Sequence, residues 1–323
     1  RETTVTRRTL LFIRWGVFIA AGVLLYVRLT RRVGMHYPWW LWRNNGEPAP
    51  WGALAIVAML MLVNWGIEAW KWRCLVRPVQ QLCFLRALTA TIAGTTIGLI
   101  TPNRVGEFAG RVLFLDPEHR VQGGFATILG SIAQFVVTLL AGGVAMMFSR
   151  YMLFSSSESS HTGMVITMSA LLIGSSAVFL FFSPAAFARL LLAIPWLHRF
   201  EKHAHVLDSF SRQDLMRVFP LSLLRYAVFT AQFVIVLVVI ARVDVTEAAI
   251  AVPVVFLITT LVPTMALTEL GVRGSVATTF IAGDDMGIMV STALIWFINL
   301  VVPAMVGGVI LLVARIRTSE PAS

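Results

Sequence analysis

Long apolar stretches separated by short polar segments form the dominant pattern of this chain. Many of these stretches approach or exceed the ~20 residues that a helix needs to cross a bilayer. Six of them are interpreted as full transmembrane helices, and two further stretches are too long for one span and are interrupted near a proline. The predicted spans are Leu10–Val27, Trp51–Trp70, Phe125–Phe148, Gly163–Phe182, Val218–Ala241 and Met286–Val313.

The two interrupted stretches are predicted to be re-entrant helical hairpins. Phe84–Leu115 is broken at Thr101 and Pro102, and Val245–Ile281 is broken at Pro263. Proline ends the helix that precedes it, and irregular backbone at membrane depth is tolerated where protein or a wet cavity surrounds it. The pattern therefore predicts an all-α polytopic membrane protein with about six full transmembrane helices and two re-entrant hairpins.

Composition agrees with this class. The chain is 58% hydrophobic and only 13% charged, so residues 1–323 are expected to form a single transmembrane domain. The net charge of +10 indicates cytoplasmic loops and contact with anionic lipid headgroups. A nucleic-acid partner is not expected, because no basic soluble module is present to bind one. The sequence contains no ATP-binding glycine-rich loop, and we expect no cofactor and no metal.

Basic residues in the loops predict the orientation. The segments Lys71–Arg86, Arg189–Arg217 and Arg315–Arg317 are basic and are expected in the cytoplasm, whereas Tyr151–Thr162 is poor in basic residues and is expected outside. Both termini are then cytoplasmic, and the cell inner membrane is the expected location. The arginines within Arg28–Arg43 disagree with this orientation, and the other loops are given more weight.

This orientation makes the chain an inverted repeat. Residues 51–148 and residues 218–314 each contain a span, a hairpin and a second span, and the two halves run in opposite directions. Residues 183–217 are expected to connect them in the cytoplasm or along the interface. Inverted repeats build alternating access around a site near the bilayer midplane, at interrupted helices.

Each hairpin contains a glutamate followed four residues later by an arginine: Glu107 with Arg111, and Glu269 with Arg273. This spacing puts both side chains on one helix face, within pairing distance. Charged residues inside an apolar chain are costly and usually functional. The alternative is a pair of helix-end ion pairs at the membrane surface. The repetition of the pattern favours a transport site.

Other polar side chains within the spans complete the predicted site. Arg225 lies about two turns inside its span, although snorkelling to the interface is an alternative. Glu68 has the alternative of a surface pair with Lys71. The predicted substrate-binding residues are Arg104, Glu107, Arg111, Arg225, Glu269 and Arg273. The predicted supporting residues are Asn64, Glu68, Pro102, Pro263, Gln134, Gln232 and Asn299. Four arginines against two glutamates in the first group suit a phosphate-bearing headgroup.

Four stretches resemble the lysylphosphatidylglycerol synthase transmembrane family, also called flippase-like integral membrane proteins: Asn64–Arg73, Gly98–Arg111, Leu224–Tyr226 and Pro263–Arg273. The resemblance covers most of Trp51–Arg315. It implies movement of a lipid, often an aminoacylated phospholipid, between leaflets, and other members serve hopanoid or glycan-carrier lipid pathways. Bifunctional members add a large soluble aminoacyl-transferase domain. Residues 1–323 contain no such domain, so we expect a stand-alone flippase module.

The leading hypothesis is therefore a lipid flippase or transporter and not an enzyme. Its expected partner is a membrane phospholipid or a polyprenyl-phosphate lipid, with a lipid-modifying enzyme partner and a homo-oligomer both left open. One alternative is a membrane scaffold or regulator of a lipid- or glycan-modifying pathway. An intramembrane lipid-phosphate enzyme is less favoured, because the histidines fall in loops or interfacial segments and no nucleophile–base pair stands out.

Overall fold

The computed structural model describes residues 51–99, 101, 104–153, 159–183, 210–262 and 266–313, together with 186, 189 and 193. The predicted span Leu10–Val27, both Pro102 and Pro263, and most of the predicted connection 183–217 lie outside the described residues. The described residues are helical, joined by turns, and contain no strand.

The helices follow the predicted apolar stretches in order. They are α1 (Trp51–Val76), α2 (Phe84–Leu99), α3 (Gly106–Val112), α4 (Arg120–Leu153), α5 (Ser159–Phe181), α6 (Arg212–Val236, continued by the π-helical turn Leu237–Ala241), α7 (Val245–Leu261), α8 (Ala266–Phe280), α9 (Asp285–Trp296, continued by the π-helical turn Phe297–Val301) and α10 (Val302–Val313).

Four segments are long and apolar enough to cross a membrane: Trp51–Val76, Pro117–Ser149, Arg212–Ala241 and Asp285–Val313. They coincide with four of the predicted spans, and the chain is a helical polytopic membrane protein. The helix α5 coincides with a fifth, Gly163–Phe182, but the total of six spans stays a prediction.

The helix α1 continues to Val76, beyond the predicted end of the span at Trp70. Lys71 therefore belongs to the helix rather than to the basic segment that follows it. Its side chain is buried and makes an ion pair with Glu68, three residues earlier. The pair offsets part of the cost of burying the ammonium group, and apolarity alone could not reveal that.

The helices α2 and α3 pack antiparallel as a tight hairpin. A Cβ atom added to Gly110 would lie 2.6 Å from the Cα atom of Gly94, so the two backbones touch where neither residue has a side chain. The turn is closed by Thr101, whose hydroxyl accepts a hydrogen bond of 2.8 Å from the Gly106 N–H. The predicted break in Phe84–Leu115 is thus confirmed as a helix–turn–helix.

The helices α7 and α8 form the second hairpin, and α7 ends at Leu261. Asp244 caps α7 by accepting hydrogen bonds from the N–H groups of Thr246 and Glu247. The Glu247 carboxylate accepts a 2.7 Å bond from the Ala282 N–H, which ties the start of α7 to the end of α8. A corresponding hydrogen bond lies at the base of the first hairpin, where the Gln80 side chain donates to the Asp116 carboxylate at 2.7 Å.

Close contacts join the two predicted halves. A Cβ atom at Gly307 in α10 would lie 2.2 Å from the carbonyl oxygen of Ile92 in α2. Beside it, the Thr96 hydroxyl donates a 2.7 Å hydrogen bond to the Ala304 carbonyl. Small residues allow such approaches between membrane helices, where apolar burial provides little driving force. The first hairpin is therefore packed against the last helix of the opposite half.

Candidate functional site

A buried carboxylate forms the centre of the candidate site. Glu68 of α1 is only 4% exposed and faces three basic side chains. The Lys71 Nζ lies 2.7 Å from Oε2, the Arg111 Nη1 lies 2.8 Å from Oε1, and the Arg225 Nε lies 3.3 Å from Oε2. These groups come from α1, α3 and α6. An isolated buried carboxylate is strongly unfavourable, so the surrounding cations are required for Glu68 to stay ionised here.

Arg111 connects this carboxylate to the first hairpin's own glutamate. Its Nη1 donates to Glu68, and its Nη2 donates to Glu107, four residues earlier on the same helix face. The predicted Glu107–Arg111 pair is confirmed. A guanidinium group can serve two carboxylates at once because its donors are arranged in a rigid fork.

Arg225 is the most exposed member of this cluster. Its side chain is 23% exposed, compared with 6% for Arg111 and 5% for Glu68. Its Nη1 donates to the Gln134 Oε1 of α4 at 3.2 Å, and its guanidinium carbon lies 6.0 Å from the Trp65 ring centroid. The side chain therefore contacts two other helices, α1 and α4. Snorkelling toward the interface does not describe these contacts.

The second hairpin carries a simpler pair. The Arg273 Nη2 lies 2.7 Å from the Glu269 Oε1, which confirms the predicted i, i+4 pairing. The guanidinium carbon of Arg273 lies 5.8 Å from the Phe229 ring centroid and 5.6 Å from that of Phe256. Aromatic faces attract cations and take over part of the solvation that water would provide.

Arg104 lies in the turn of the first hairpin, between α2 and α3, with φ +58°. On α6, Arg225 of the first cluster and Phe229 of the second lie four residues apart, on one face. The two clusters therefore meet along α6. We call the following residues the polar track: Lys71, Glu68, Arg225, Arg111, Glu107, Arg104, Arg273 and Glu269.

All six predicted substrate-binding residues belong to the polar track, whereas the supporting residues divide. Asn64 donates to Asn299 at 3.3 Å, a bond from α1 to the π-helical turn after α9. Gln232 donates to the Val57 carbonyl at 2.9 Å. Glu68 belongs to the track itself, and Gln134 touches it through Arg225. Both predicted prolines fall outside the described residues.

Lys71, Trp65, Phe229 and Phe256 were missing from the predicted site. Lys71 had a signal, because it follows Glu68 by three residues and therefore shares its helix face. The three aromatic residues had none, because the chain contains 21 phenylalanines and 10 tryptophans and spans are rich in both.

The polar track contains five basic and three acidic side chains, an excess of two positive charges. Buried positive charge that is not neutralised attracts anions, and arginine binds phosphate through charge-assisted hydrogen bonds. Within the described ranges, no group of three or more His, Cys, Asp or Glu side chains is arranged to hold a metal ion.

Comparison with known proteins places the chain in a family. The sequence profile described as "Lysylphosphatidylglycerol synthase TM region" matches residues 13–307. No curated protein matches the chain significantly, and no solved structure does. The matched range includes the whole polar track and both helical hairpins. The chain therefore belongs to the family of lysylphosphatidylglycerol synthase transmembrane regions.

Proposed function

We propose that this protein moves a phosphate-bearing lipid between the leaflets of the inner membrane, with the polar track as the path of the headgroup. The observation that supports this most is the track itself. It joins both halves of an apolar helical chain and has an excess of positive charge. Intramembrane charges of this kind mark substrate pathways in transporters. The family relationship supports a role in lipid metabolism.

In the proposed arrangement the two helical hairpins are re-entrant and enter from opposite faces. The first hairpin opens to the cytoplasm, on the side where both termini of the chain lie, and the second opens to the outside. Opposed interrupted helices allow alternating access around one site. An aminoacylated phospholipid and a polyprenyl-phosphate lipid share the phosphate that the arginines would bind.

Leaflet exchange in liposomes tests this function. Purified protein is reconstituted with fluorescently labelled phosphatidylglycerol, and the label exposed on the outer leaflet is quenched by a membrane-impermeant reductant. A transporter increases the fraction of label that becomes accessible, compared with protein-free liposomes. A scaffold or regulator of another enzyme gives no increase in any lipid tested. Glu269→Gln is the informative variant, because loss of exchange with preserved folding assigns Glu269 a role in transport.

Cysteine labelling tests the opposed hairpins independently. Both free cysteines, Cys74 and the exposed Cys83, are first replaced by Ser, since their thiols would react with the probe. Single cysteines are then introduced at the exposed positions Glu118 and Ala282, which lie at the bases of the first and second hairpins. Labelling from opposite sides of the membrane is expected. Labelling of both from one side would refute the inverted arrangement while leaving lipid exchange open.

A further inference from the structure

Arg225 has the longest contact among the three basic side chains that face Glu68. Its Nε lies 3.3 Å from the carboxylate, whereas the nearest nitrogens of Lys71 and Arg111 lie at 2.7 and 2.8 Å. The Arg225 side chain is 23% exposed, and the other two are almost completely buried. Arg225 can therefore turn to another anion while the carboxylate keeps its two shorter ion pairs.

The second partner of Arg225 is neutral. Its Nη1 donates a 3.2 Å hydrogen bond to the Gln134 Oε1 of α4. An amide oxygen accepts a hydrogen bond but does not neutralise the charge of a guanidinium group. Gln134 also has an amide nitrogen with two N–H donors. Arg225 and Gln134 together therefore offer the donors that a phosphate oxygen accepts, one of them charged.

The two residues meet near the middle of their membrane segments. Gln134 lies close to the centre of the 33-residue segment Pro117–Ser149, and Arg225 close to the centre of the 30-residue segment Arg212–Ala241. A charged side chain at this depth is costly and marks a substrate pathway. The guanidinium carbon lies 6.0 Å from the Trp65 ring centroid, a contact that restrains the plane of the group.

The face of α4 that includes Gln134 is polar over several turns. Thr127, Ser131 and Thr138 share this face by their helical spacing. Thr127 is buried and accepts a 2.9 Å hydrogen bond from the Trp72 indole N–H, whereas Ser131, one turn before Gln134, is exposed. An exposed hydroxyl within a membrane segment is suited to a polar headgroup that approaches Gln134 along α4.

We infer that Arg225 and Gln134 together bind the headgroup phosphate near the bilayer midplane. Glu68 stays neutralised by Lys71 and Arg111 while the phosphate is bound. This inference rests on the proposed function and names the contact point within its path. The ligand is a phosphate monoester or diester. A lipid headgroup and free inorganic phosphate both present that group.

A variant that adds a competing carboxylate gives the sharpest test. Gln134→Glu keeps the length of the side chain and places a carboxylate beside the Arg225 guanidinium group. The new ion pair should keep or raise Tm, but it occupies Arg225 and repels phosphate. Binding of phosphatidylglycerol, measured by native mass spectrometry in detergent, should weaken about tenfold or more. The control Gln81→Glu adds the same charge at an exposed position outside the helices and should bind like the wild type.

A second variant removes the cation itself. Arg225→Gln should also weaken phosphatidylglycerol binding about tenfold or more, the loss of one charge-assisted contact. The control Arg217→Gln makes the same change at an exposed position nearer the start of α6 and should bind like the wild type. Diacylglycerol, which lacks the phosphate, should bind all variants equally.

Three outcomes decide the inference. Wild-type phosphatidylglycerol binding by both Gln134→Glu and Arg225→Gln would overturn it. Equal losses of phosphatidylglycerol and diacylglycerol would also overturn it, since they would indicate damage to the fold rather than loss of a phosphate contact. Inorganic phosphate that raises the Tm of wild type but not of Gln134→Glu would confirm the site and assign it a soluble ligand.

The leaflet-exchange assay keeps this inference distinct from the proposed function. Exchange that Gln134→Glu and Arg225→Gln retain in full would refute the site and leave the transport function standing. Phosphatidylglycerol binding that depends on both residues, in a protein that exchanges no lipid, would retain the site and refute transport.

Discussion

The two helical hairpins share a sequence pattern but differ in what surrounds it. In the first, Glu107 and Arg111 belong to a network with Glu68 that also holds Arg225. In the second, Glu269 binds Arg273, which lies over two aromatic rings. A repeated motif therefore predicts the local pair but not its environment. Buried ion pairs with Glu68 connect the first hairpin to α1. In the second hairpin, Arg273 has one carboxylate partner, and its other contacts are with aromatic rings, which are less directional.

Removal of the central carboxylate, Glu68, should give the largest difference in stability between variants of the two hairpin sites. Glu68→Gln leaves three basic groups facing a neutral amide, and loss of one partner from a buried ionic cluster costs about 3–5 kcal/mol. Glu269→Gln leaves one arginine that keeps its aromatic contacts, so its cost should be clearly smaller. Thermal unfolding in detergent measures both variants. The double variant Glu68→Gln with Lys71→Met should recover part of the loss, and equal destabilisation by the two single variants would contradict the comparison.

Backbone contact provides the second difference between the hairpins. Gly110→Ala places a methyl group 2.6 Å from the Cα of Gly94, and such overpacking costs about 1–3 kcal/mol. Gly271 of the second hairpin has no atom within 4 Å of the same added position. Gly271→Ala should therefore be neutral or slightly stabilising, since alanine favours helix. Tm compares the matched pair, and a tolerated Gly110→Ala would mean that α2 and α3 are not held at this distance.

The geometry of the arginines gives a smaller difference. Arg111→Lys replaces a fork that serves two carboxylates with a single ammonium, and we expect a loss of about 1–2 kcal/mol. Arg273→Lys keeps one carboxylate partner and an aromatic surface, so a loss below about 1 kcal/mol is expected. Unfolding by denaturant would rank the two. A larger loss of unfolding free energy for Arg273→Lys than for Arg111→Lys would show that the second hairpin, and not the first, depends more on its arginine.

The sequence predicted the hairpins and their ion pairs because both depend on local rules. Proline and threonine mark the break at Thr101, and the i, i+4 spacing sets the pairs Glu107–Arg111 and Glu269–Arg273. The convergence of Arg225 and Arg111 on Glu68 joins residues far apart in the chain. Helix periodicity gives the face of each residue but not which helix it will meet.

Lys71 illustrates the other limit. A lysine after an apolar run normally marks the end of a span, because burial of its charge is expensive. Here Glu68 one turn earlier makes burial possible, and α1 continues to Val76. The conformation of Arg104 was also beyond prediction, since nothing in the residue type favours positive φ.

The smallest predicted effect concerns the base of the second hairpin. Asp244 is exposed and caps α7, and the hydrogen bonds it accepts from the Glu247 and Thr246 N–H groups lower the pKa of its carboxyl group. A lowered pKa in the folded state means that the cap stabilises α7 above the unfolded carboxyl value near 4, and that this contribution is lost as pH falls through the folded value.

Amide exchange at Thr246 and Glu247, corrected for intrinsic rates, should therefore lose protection below about pH 4. Asp244→Asn caps without a titratable group, so its protection should not change over the same range. Loss of protection in Asp244→Asn at the same pH would show that another group, and not this cap, responds to acid.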